Sequence, residues 1–400
     1  MKGKNVIVGV TGGIACYKAV ELVRLLAKAG VSSVKVCMTR NATRFVTPLT
    51  FEAVSGNRVI HDMWAPSNES MDHIDWGQGS DLIIIAPATA NFIGKIAHGI
   101  GDDFLSTLLL AATAKILVCP SMNTKMFMNP FVQANLKTLR KHGFTVMEPS
   151  EGELACGTEG PGRLPEPEKI IEDARSLLTV KDLSGIRILV TAGPTVEPID
   201  PVRYITNRSS GKMGYALARV ARRRGAEVTL ISGPTAIAPP DNVEFFPVRS
   251  SDEMREMVIR KAAKADVVVK AAAVLDYKPR ESKKHKIKKE EDSLTLELVR
   301  TADILAELGS RKKEHGYILV GFAAETRDVL ENAATKLERK NLDMIVANDV
   351  SRTDAGFESD TNQVKIIDRE GKVEDLPVMS KEEVAEHLLD RIKALWEKRS

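Results

Sequence analysis

Three side chains in the first half of the chain are candidates for acid–base or carboxylate chemistry. Cys156 lies in ACGTEGPGR, a glycine-rich stretch. A thiol on a loop of that kind can reach a ligand and give up a proton or attack, although a loop cysteine with no role reads the same. Asn123, in PSMNTKM, follows an apolar strand, where open parallel sheets bind ligands. Its amide could hold a carboxylate without adding a competing charge, or form an Asx turn. His73, in MDHID, is read in a loop without metal-ligand spacing, as a catalytic group or as a solvated ring. In the second half, KKHKIKK (283–289) follows DYKPR. Its lysines, among them Lys286, Lys288 and Lys289, form either a substrate-binding basic patch or a solvated loop.

Two strand, glycine-loop, helix units must position these groups. In the first, VIVGV (6–10) reads as a buried parallel strand and TGGIA as a tight turn. CYKAVELVRLLAKAG is a helix with Ala19, Leu22, Val23 and Leu26 at helical spacing. Such a turn aims backbone N–H groups and the positive helix end at a phosphate. The glycines are Gly9, Gly12 and Gly13, not G-x-G-x-x-G, and the next strand ends at Thr39 where a dinucleotide site would carry an acid. A mononucleotide with one phosphate fits better, and a turn that merely connects strand to helix is the alternative.

In the second unit, RILVTAGPT (187–195) leads through a long loop to NRSSGKMG. There Ser209, Ser210 and Gly211 can present amides at the start of a helix whose apolar face is Ala216, Leu217, Val220 and Ala221. Lys212 is followed by Met213, which excludes a Walker A loop. The following strand again ends without an acid, at Ser232 and Gly233.

The remaining segments alternate in the same manner. DLIIIAPATAN (81–91) has the continuous apolar run of a strand covered on both faces, and small residues follow it. A helix over about 103–112, the strand KILVCP and a helix opened by Pro130 come next. EGELACGTEGPGRLPEPE is expected to be irregular, a helix over about 167–178 closes the half, and VKDLSG (180–185) is the expected link. The second half adds a helix capped by SSDE (250–253), the strands DVVVKAAAV, SLTLELV, YILVGFAAET and MIVAND, a hairpin across the Glu-Gly turn of QVKIIDREGKVEDL, and a final amphipathic helix. The expectation is α/β, two Rossmann-like three-layer domains over 1–179 and 186–400.

With 400 residues and 43% hydrophobic content, two such cores can be filled. A net charge of +3 does not argue for nucleic acid or membrane as a partner, and no apolar stretch reaches spanning length. The four cysteines, Cys16, Cys37, Cys119 and Cys156, show no C-x-x-C spacing, and no secretory signal precedes the first strand. A cytoplasmic location without structural zinc is expected. Cys37 and Cys119 read as packing residues in apolar strands, and Cys16 either packs or lines the phosphate site.

Taken in order, GGIACYK, TPLTFEAVSG, MDHI, APATANFIGKIAHGIGDD, PSMNTKM and ACGTEGPGR resemble the flavin mononucleotide-dependent phosphopantothenoylcysteine decarboxylases. GPTVEPIDPVRYITNRSSGKMG, KAAAVLDYKP, KIKK, GFAAET and DMIVAND resemble phosphopantothenate-cysteine ligase. Together they resemble the fused bifunctional enzymes of coenzyme A biosynthesis over nearly the whole chain.

The resemblance implies that the first half oxidises the thiol-bearing carbon of its substrate with FMN, loses carbon dioxide to leave an enethiol, and then restores the hydride and a proton. Cys156 would supply that proton, His73 would act as base or orienting group, and Asn123 would hold the carboxylate. Gly12, Gly13, Thr39, Ala86, Thr89, Asn91 and Ser106 would hold flavin phosphate, ribityl chain and ring. For the second half it implies an acyl-cytidylate made from CTP and attacked by the cysteine amine. Asn207 would handle the intermediate, and Lys286, Lys288 and Lys289 would neutralise the triphosphate with Mg2+ and Asp276. Ser209, Ser210, Gly211 and Lys212 would bind substrate or nucleotide, Ala273 and Phe322 would bracket the base, and Lys336 and Lys340 would contact ligand. It further implies a homo-oligomer, trimeric decarboxylase units joined by ligase dimers into a dodecamer. Two other classes share parts of this pattern: a flavin-binding regulatory protein without catalysis, and a two-domain nicotinamide oxidoreductase. The Cys156 loop and the second set of motifs count against the first, and the missing acids count against the second.

Overall fold

Continuous apolar runs become parallel strands covered on both faces. In the computed structural model of the chain, the described residues are 1–64, 71–153, 157, 159–288, 294–325, 329–349 and 359–399. The chain divides into two units, Met1–Thr179 and Val180–Ser400.

In the first unit the strands are β1 (Asn5–Val10), β2 (Ser33–Met38), β3 (Val59–Ile60), β4 (Leu82–Ala88), β5 (Lys115–Pro120) and β6 (Thr145–Val146). They pair in parallel in the order β3-β2-β1-β4-β5-β6. The helices are α1 (Cys16–Lys28), α2 (Pro48–Ser55), α3 (Asp72–Gln78), α4 (Ala90–Ala97), α5 (Phe104–Ala111), α6 (Thr124–Phe127), α7 (Pro130–Lys141) and α8 (Pro167–Leu178). Alternation decides which face each strand residue serves. Val6, Val8, Leu82 and Ile84 pack with Leu22 and Leu26 of α1 and Ile170 of α8. Ile7, Ile83 and Ile85 pack with Leu105 and Leu108 of α5 and Leu136 of α7. Each such side chain contributes about 1.5–3 kcal/mol by leaving water, so the three layers follow from the strand pattern.

Two expectations fail in this unit. The glycine-rich stretch is not irregular: β7 (Ser150–Glu153) and β8 (Glu159–Arg163) pair as an antiparallel hairpin. Gly152, Gly160 and Gly162 adopt φ of +138°, +142° and +152°, a region nearly closed to other residues, so glycine permits this ribbon rather than breaking it. His73 is not in a loop but in the first turn of α3, whose Trp76 meets Phe104 edge-on at 5.7 Å between centroids. That burial, with the Arg58–Asp72 ion pair at 2.7 Å, organises a segment too short to reveal helical periodicity.

In the second unit, β9 (Arg187–Ala192), the hairpin β10 (Val196–Pro198) and β11 (Tyr204–Thr206), β12 (Glu227–Ser232), β13 (Glu244–Pro247) and β14 (Val267–Lys270) come first. Then follow β15 (Tyr277–Pro279), β16 (Leu298–Arg300), β17 (Ile318–Glu325), β18 (Met344–Asp349), β19 (Thr361–Asn362), β20 (Val364–Asp368), β21 (Val373–Asp375) and β22 (Met379–Ser380). The main sheet has the order β13-β12-β9-β14-β17-β18-β20-β21, parallel except for its last two strands. Helices α9 (Lys212–Arg223), α10 (Ser251–Ala262), α11 (Ile304–His315), α12 (Val329–Arg339) and α13 (Lys381–Glu397) complete it. Of the described part of SLTLELV only Leu298 and Val299 lie in a strand, which runs on to Arg300 and pairs with the YKP of the DYKP motif. The expected link is partly built into this unit: Leu183 is fully buried and its N–H donates to Arg224 O at 3.0 Å.

Candidate functional site

In the first unit, sheet order reverses between β1 and β4, and the loops leaving those two strands therefore diverge to form a crevice. Thr11, which sequence reasoning did not single out, ties them together. Its hydroxyl donates to Pro87 O at 2.7 Å and accepts from Thr89 N–H at 3.0 Å, and the residue is 1% exposed. Gly12 is needed by close approach, since a Cβ there would fall 2.4 Å from Asn41 Cβ, just past β2. At Gly13 a Cβ would meet only Thr89 Cγ2, at 3.5 Å, so that side of the turn is open. No side chain caps α1. Within that first turn Cys16 N–H donates to Gly13 O and Lys18 N–H to Ala15 O, both at 3.0 Å, so it is the open glycine turn and the positive helix end that suit a phosphate.

Thr39 follows β2 and its N–H donates to Val10 O at 3.0 Å, which brings it beside the same turn. Thr89 caps α4, Asn91 lies in the first turn of that helix and is exposed, and Ala86 is fully buried within β4. Ser106 is 1% exposed. Its hydroxyl closes a capping box with Asp103, donating to Oδ1 at 2.9 Å and accepting from Asp103 N–H at 3.1 Å. Lys95 in turn pairs with Asp102 at 2.7 Å and Asp103 at 3.2 Å. The motif GDDFLS thus first builds a helix start.

Asn123 caps the short α6 and accepts from Lys125 N–H at 2.8 Å, so the Asx-type turn is present. The β7–β8 hairpin is docked on this loop. Met122 N–H donates to Gly162 O at 2.9 Å, and a Cβ on Gly162 would fall 2.2 Å from Met122 O. The Cys156 segment lies between β7 and β8 in sequence, and Cys156 itself lies outside the described residues. Cys16, Cys37 and Cys119 are buried. The Cys16 thiol donates to Thr11 O at 3.0 Å, and burial pushes its pKa up. Burial, reinforced by Asp103 at Cys37 and Asp173 at Cys119, raises the other two strongly. None of the three is a reactive thiolate.

In the second unit the reversal lies between β9 and β14, and their loops are laced together. Ala273 N–H donates to Gly193 O at 2.9 Å, Thr195 N–H to Ala273 O at 3.2 Å, and Leu275 N–H to Thr195 Oγ1 at 3.0 Å. Asn207 Nδ2 donates to the same Ala273 O at 3.3 Å. Gly211, at φ +77°, precedes α9, which has no side-chain cap. A Cβ there would meet Thr235 Cγ2 at 2.7 Å, so glycine is required by both conformation and space.

Above these loops lies a cavity of about 790 Å³. It is lined by Asn207, Ser209, Gly211, Lys212, Ala273, Asp276, Phe322, Lys336 and Lys340. These come from four separate sequence segments, and the fold gathers them. Eight of the lining residues are Lys or Arg against two Asp, so the cavity favours polyanions. Ser210 stands next to this lining. Lys286 and Lys288 are exposed and outside it, and Lys289 lies outside the described residues. Among the described residues no group of three ligating side chains could hold a metal. Asp276 can offer Mg2+ one carboxylate, which suffices only when phosphates supply the rest.

Four groups that sequence reasoning did not single out as site residues stand out: Lys270, Lys381, Asp200 and Arg203. Lys270, at the end of an apolar strand, lines the cavity. Burial, with the Lys340 charge nearby, lowers its pKa to about 8 against the pull of Asp303 and Asp276. Lys340 itself pairs with Asp303 at 2.9 Å. Lys381 lines the cavity, and burial and the Lys212 charge lower its pKa also to about 8. Asp200, 2% exposed, accepts from Val202 N–H at 2.7 Å, Arg203 N–H at 2.8 Å, the Arg203 guanidinium at 2.7 Å and Ile287 N–H at 3.1 Å. Arg203 donates back to Ile287 O at 3.2 Å. The two residues clamp the backbone between Lys286 and Lys288. Burial works against the Asp200 charge, but these donors outweigh it and hold the carboxyl at about 2.

Comparison with known proteins covers both units. Residues 1–179 match the flavoprotein family model, and residues 183–395 match the DNA/pantothenate metabolism flavoprotein C-terminal domain. The coenzyme A biosynthesis bifunctional protein CoaBC of Bacillus subtilis (strain 168) is 50% identical, over 99% of this chain and 98% of its own. Its namesake in Escherichia coli (strain K12) is 43% identical, over 100% and 99%. A solved C-terminal domain of a coenzyme A biosynthesis bifunctional protein CoaBC is 47% identical, over 55% of this chain and 99% of that one, with a TM-score of 0.47. The DNA/pantothenate metabolism flavoprotein of Streptococcus pneumoniae is 26% identical, over 53% and 100%, at a TM-score of 0.46. With identity of this order running from end to end, the chain belongs to the CoaBC family of bifunctional coenzyme A biosynthesis proteins.

Proposed function

We propose that the chain ligates phosphopantothenate to cysteine in a domain over 186–400 and decarboxylates the product, phosphopantothenoylcysteine, in a domain over 1–179, in the cytoplasm. The observation that carries this reading is that each unit sets an uncapped helix N-terminus beside a glycine turn at its own sheet reversal, inside a full-length family match. Two phosphate-binding crevices suit two successive reactions on phosphorylated substrates.

In the first domain FMN supplies an electron sink, without which loss of carbon dioxide would leave an unstabilised carbanion. Gly12, Gly13 and the positive start of α1 would hold its phosphate, and Thr39, Thr89 and Asn91 would line the crevice from the adjoining strand ends. Ala86 forms part of the floor, while Ser106 acts through the α5 start that it closes with Asp103. Asn123 binds the substrate carboxylate. His73 orients substrate from α3 or takes its proton. Cys156, in the segment between β7 and β8, returns a proton to carbon.

In the second domain the substrate carboxylate attacks the α-phosphorus of CTP, pyrophosphate leaves, and the cysteine amine displaces cytidine monophosphate. Asn207, fixed on Ala273 O, orients the acyl group. Ala273 and Phe322 bracket the base, and Lys336, Lys340 and Asp276 with Mg2+ meet the triphosphate. Lys286 and Lys288, on either side of the Ile287 backbone that Asp200 and Arg203 anchor, neutralise it together with Lys289. Ser209, Ser210, Gly211 and Lys212 receive the substrate phosphate. Assembly into trimers and a dodecamer follows the same family reading.

Mass spectrometry of one incubation tests the proposal. Phosphopantothenate, cysteine, CTP and Mg2+ should yield phosphopantetheine, cytidine monophosphate and pyrophosphate. A protein that binds flavin but forms no amide with CTP or ATP would refute it.

A further inference from the structure

Two buried amide side chains border the second-unit cavity with an oxygen left unbonded. Asn348, in β18, is 8% exposed and Asn362, in β19, is 3% exposed. Both line the cavity, and among the described residues the Oδ1 of each has no hydrogen-bond partner. Folded proteins pair nearly all such buried atoms, and each unpaired one costs about 1–3 kcal/mol. Two of them on one cavity mark a place where donors arrive with a ligand.

Strand pairing brings them together from 14 residues apart. β18 and β20 are antiparallel with Asn348 opposite Val364, and Asn362 precedes Val364 by two positions. β19 pairs with β22, Asn362 opposite Met379. This sets the start of α13 alongside, with the Lys381 amine donating to Ser359 O. Lys212, the first residue of α9, pairs with Asp360 at 2.6 Å in the same corner.

The corner therefore offers an uncapped helix N-terminus, two amines and two neutral acceptors. Lys212 is partly neutralised by Asp360, so the positive charge here is small and suits one phosphate monoester rather than a triphosphate. An arriving ammonium, such as that of cysteine, would be repelled by Lys212 and Lys381. The donors that fit are neutral, a hydroxyl or an amide N–H, close in the ligand to a phosphate. Phosphopantothenate has that order of groups: phosphate ester, then a secondary hydroxyl, then an amide N–H.

We propose that Asn348 and Asn362 form the subsite that reads the hydroxyl and amide N–H of the pantoyl segment of phosphopantothenate, next to its phosphate on Lys212 and the α9 amides. This rests on the ligase reading above and extends it to substrate specificity. Both asparagines are positioning and specificity residues remote from the reacting carboxylate.

The test is ligation kinetics of the full chain with phosphopantothenate and with its analogue lacking the secondary hydroxyl, for the parent, Asn348→Ser and Asn362→Leu. In the parent the analogue should raise the KM roughly 10- to 100-fold. At least one variant should show a comparable rise with the natural substrate and no further rise with the analogue, while the KM for CTP and for cysteine stays at the parent value. Decarboxylation of supplied phosphopantothenoylcysteine should be unchanged and reports that the protein is intact. Additive penalties of variant and analogue would overturn the subsite, as would a parent indifferent to the hydroxyl, a measurement needing no variant. A rise confined to the CTP KM would also overturn it, assigning the oxygens to ribose or base. A parent that ligates neither substrate would remove the ligase reading itself.

Discussion

Gly162→Ala should disable decarboxylation while sparing ligation. At Gly162 the backbone has φ +152° and an added Cβ would lie 2.2 Å from Met122 O, whereas ordinary contact begins near 3.4 Å. The β7–β8 hairpin must therefore back away from the Asn123 loop by about 1 Å, losing the Met122–Gly162 hydrogen bond, a net loss of about 1 kcal/mol. The unfavourable φ adds about 1–3 kcal/mol of local strain. Displacement by about 1 Å of a group that must meet substrate lowers turnover roughly 100-fold. The assay supplies phosphopantothenoylcysteine directly and follows phosphopantetheine, with flavin content checked by absorbance and ligation followed through pyrophosphate release. Gly143→Ala is the control: φ there is +87° with no atom within 4 Å, so it carries backbone strain without moving the hairpin. Decarboxylation by Gly162→Ala within about threefold of the parent would refute the claim that hairpin docking positions the proton donor.

Asp200→Asn should raise the KM for CTP about tenfold in ligation and leave the KM for cysteine unchanged, because the clamp orders the Lys286–Lys288 backbone and touches no cysteine site. Unchanged nucleotide KM would refute the clamp. Since Asp200 is depressed to about 2, its contribution is complete above the ordinary carboxylate pKa and is lost only as pH falls through about 2, so the parent should keep its CTP affinity down to about pH 5 with respect to this group. Lys270→Met should stabilise the second unit. A lysine lowered from 10.5 to about 8 carries a burial penalty of roughly 3 kcal/mol. That penalty is full below about pH 8 and fades as pH rises toward 10.5, because the native amine sheds its proton first. Urea unfolding at pH 7 should favour the variant and at pH 10 should nearly not, and an equal gain at both would contradict the assignment.

What the sequence made legible is local. Both glycine turns, the covered runs such as DLIIIAPA, and the helix starts at Ser250 and Pro130 declare themselves through spacing and residue type. The β7–β8 ribbon was hidden because its glycines, which ordinarily signal a loop, serve close packing against Met122 and Thr124. His73 was misplaced because α3 depends on tertiary contacts of Trp76 and Asp72 rather than on periodicity. Of the cavity residues, Asn362 and Lys381 lie in no motif, while Lys270 and Asn348 stand inside KAAAVLDYKP and DMIVAND without a residue type or spacing that singles them out. They become a site only when β14, β18, β19 and β22 align, and Lys270 reads in sequence as the polar end of VVVK. Asp200 likewise shows its role only through a backbone amide 87 residues away.

The central claim is that two separate sites act in sequence, and the product profile of Asn207→Asp tests it most directly. This variant, given phosphopantothenate, cysteine and CTP, should form no amide product, yet it should convert supplied phosphopantothenoylcysteine to phosphopantetheine at the parent rate. Loss of both activities together, or retention of both, would contradict the account.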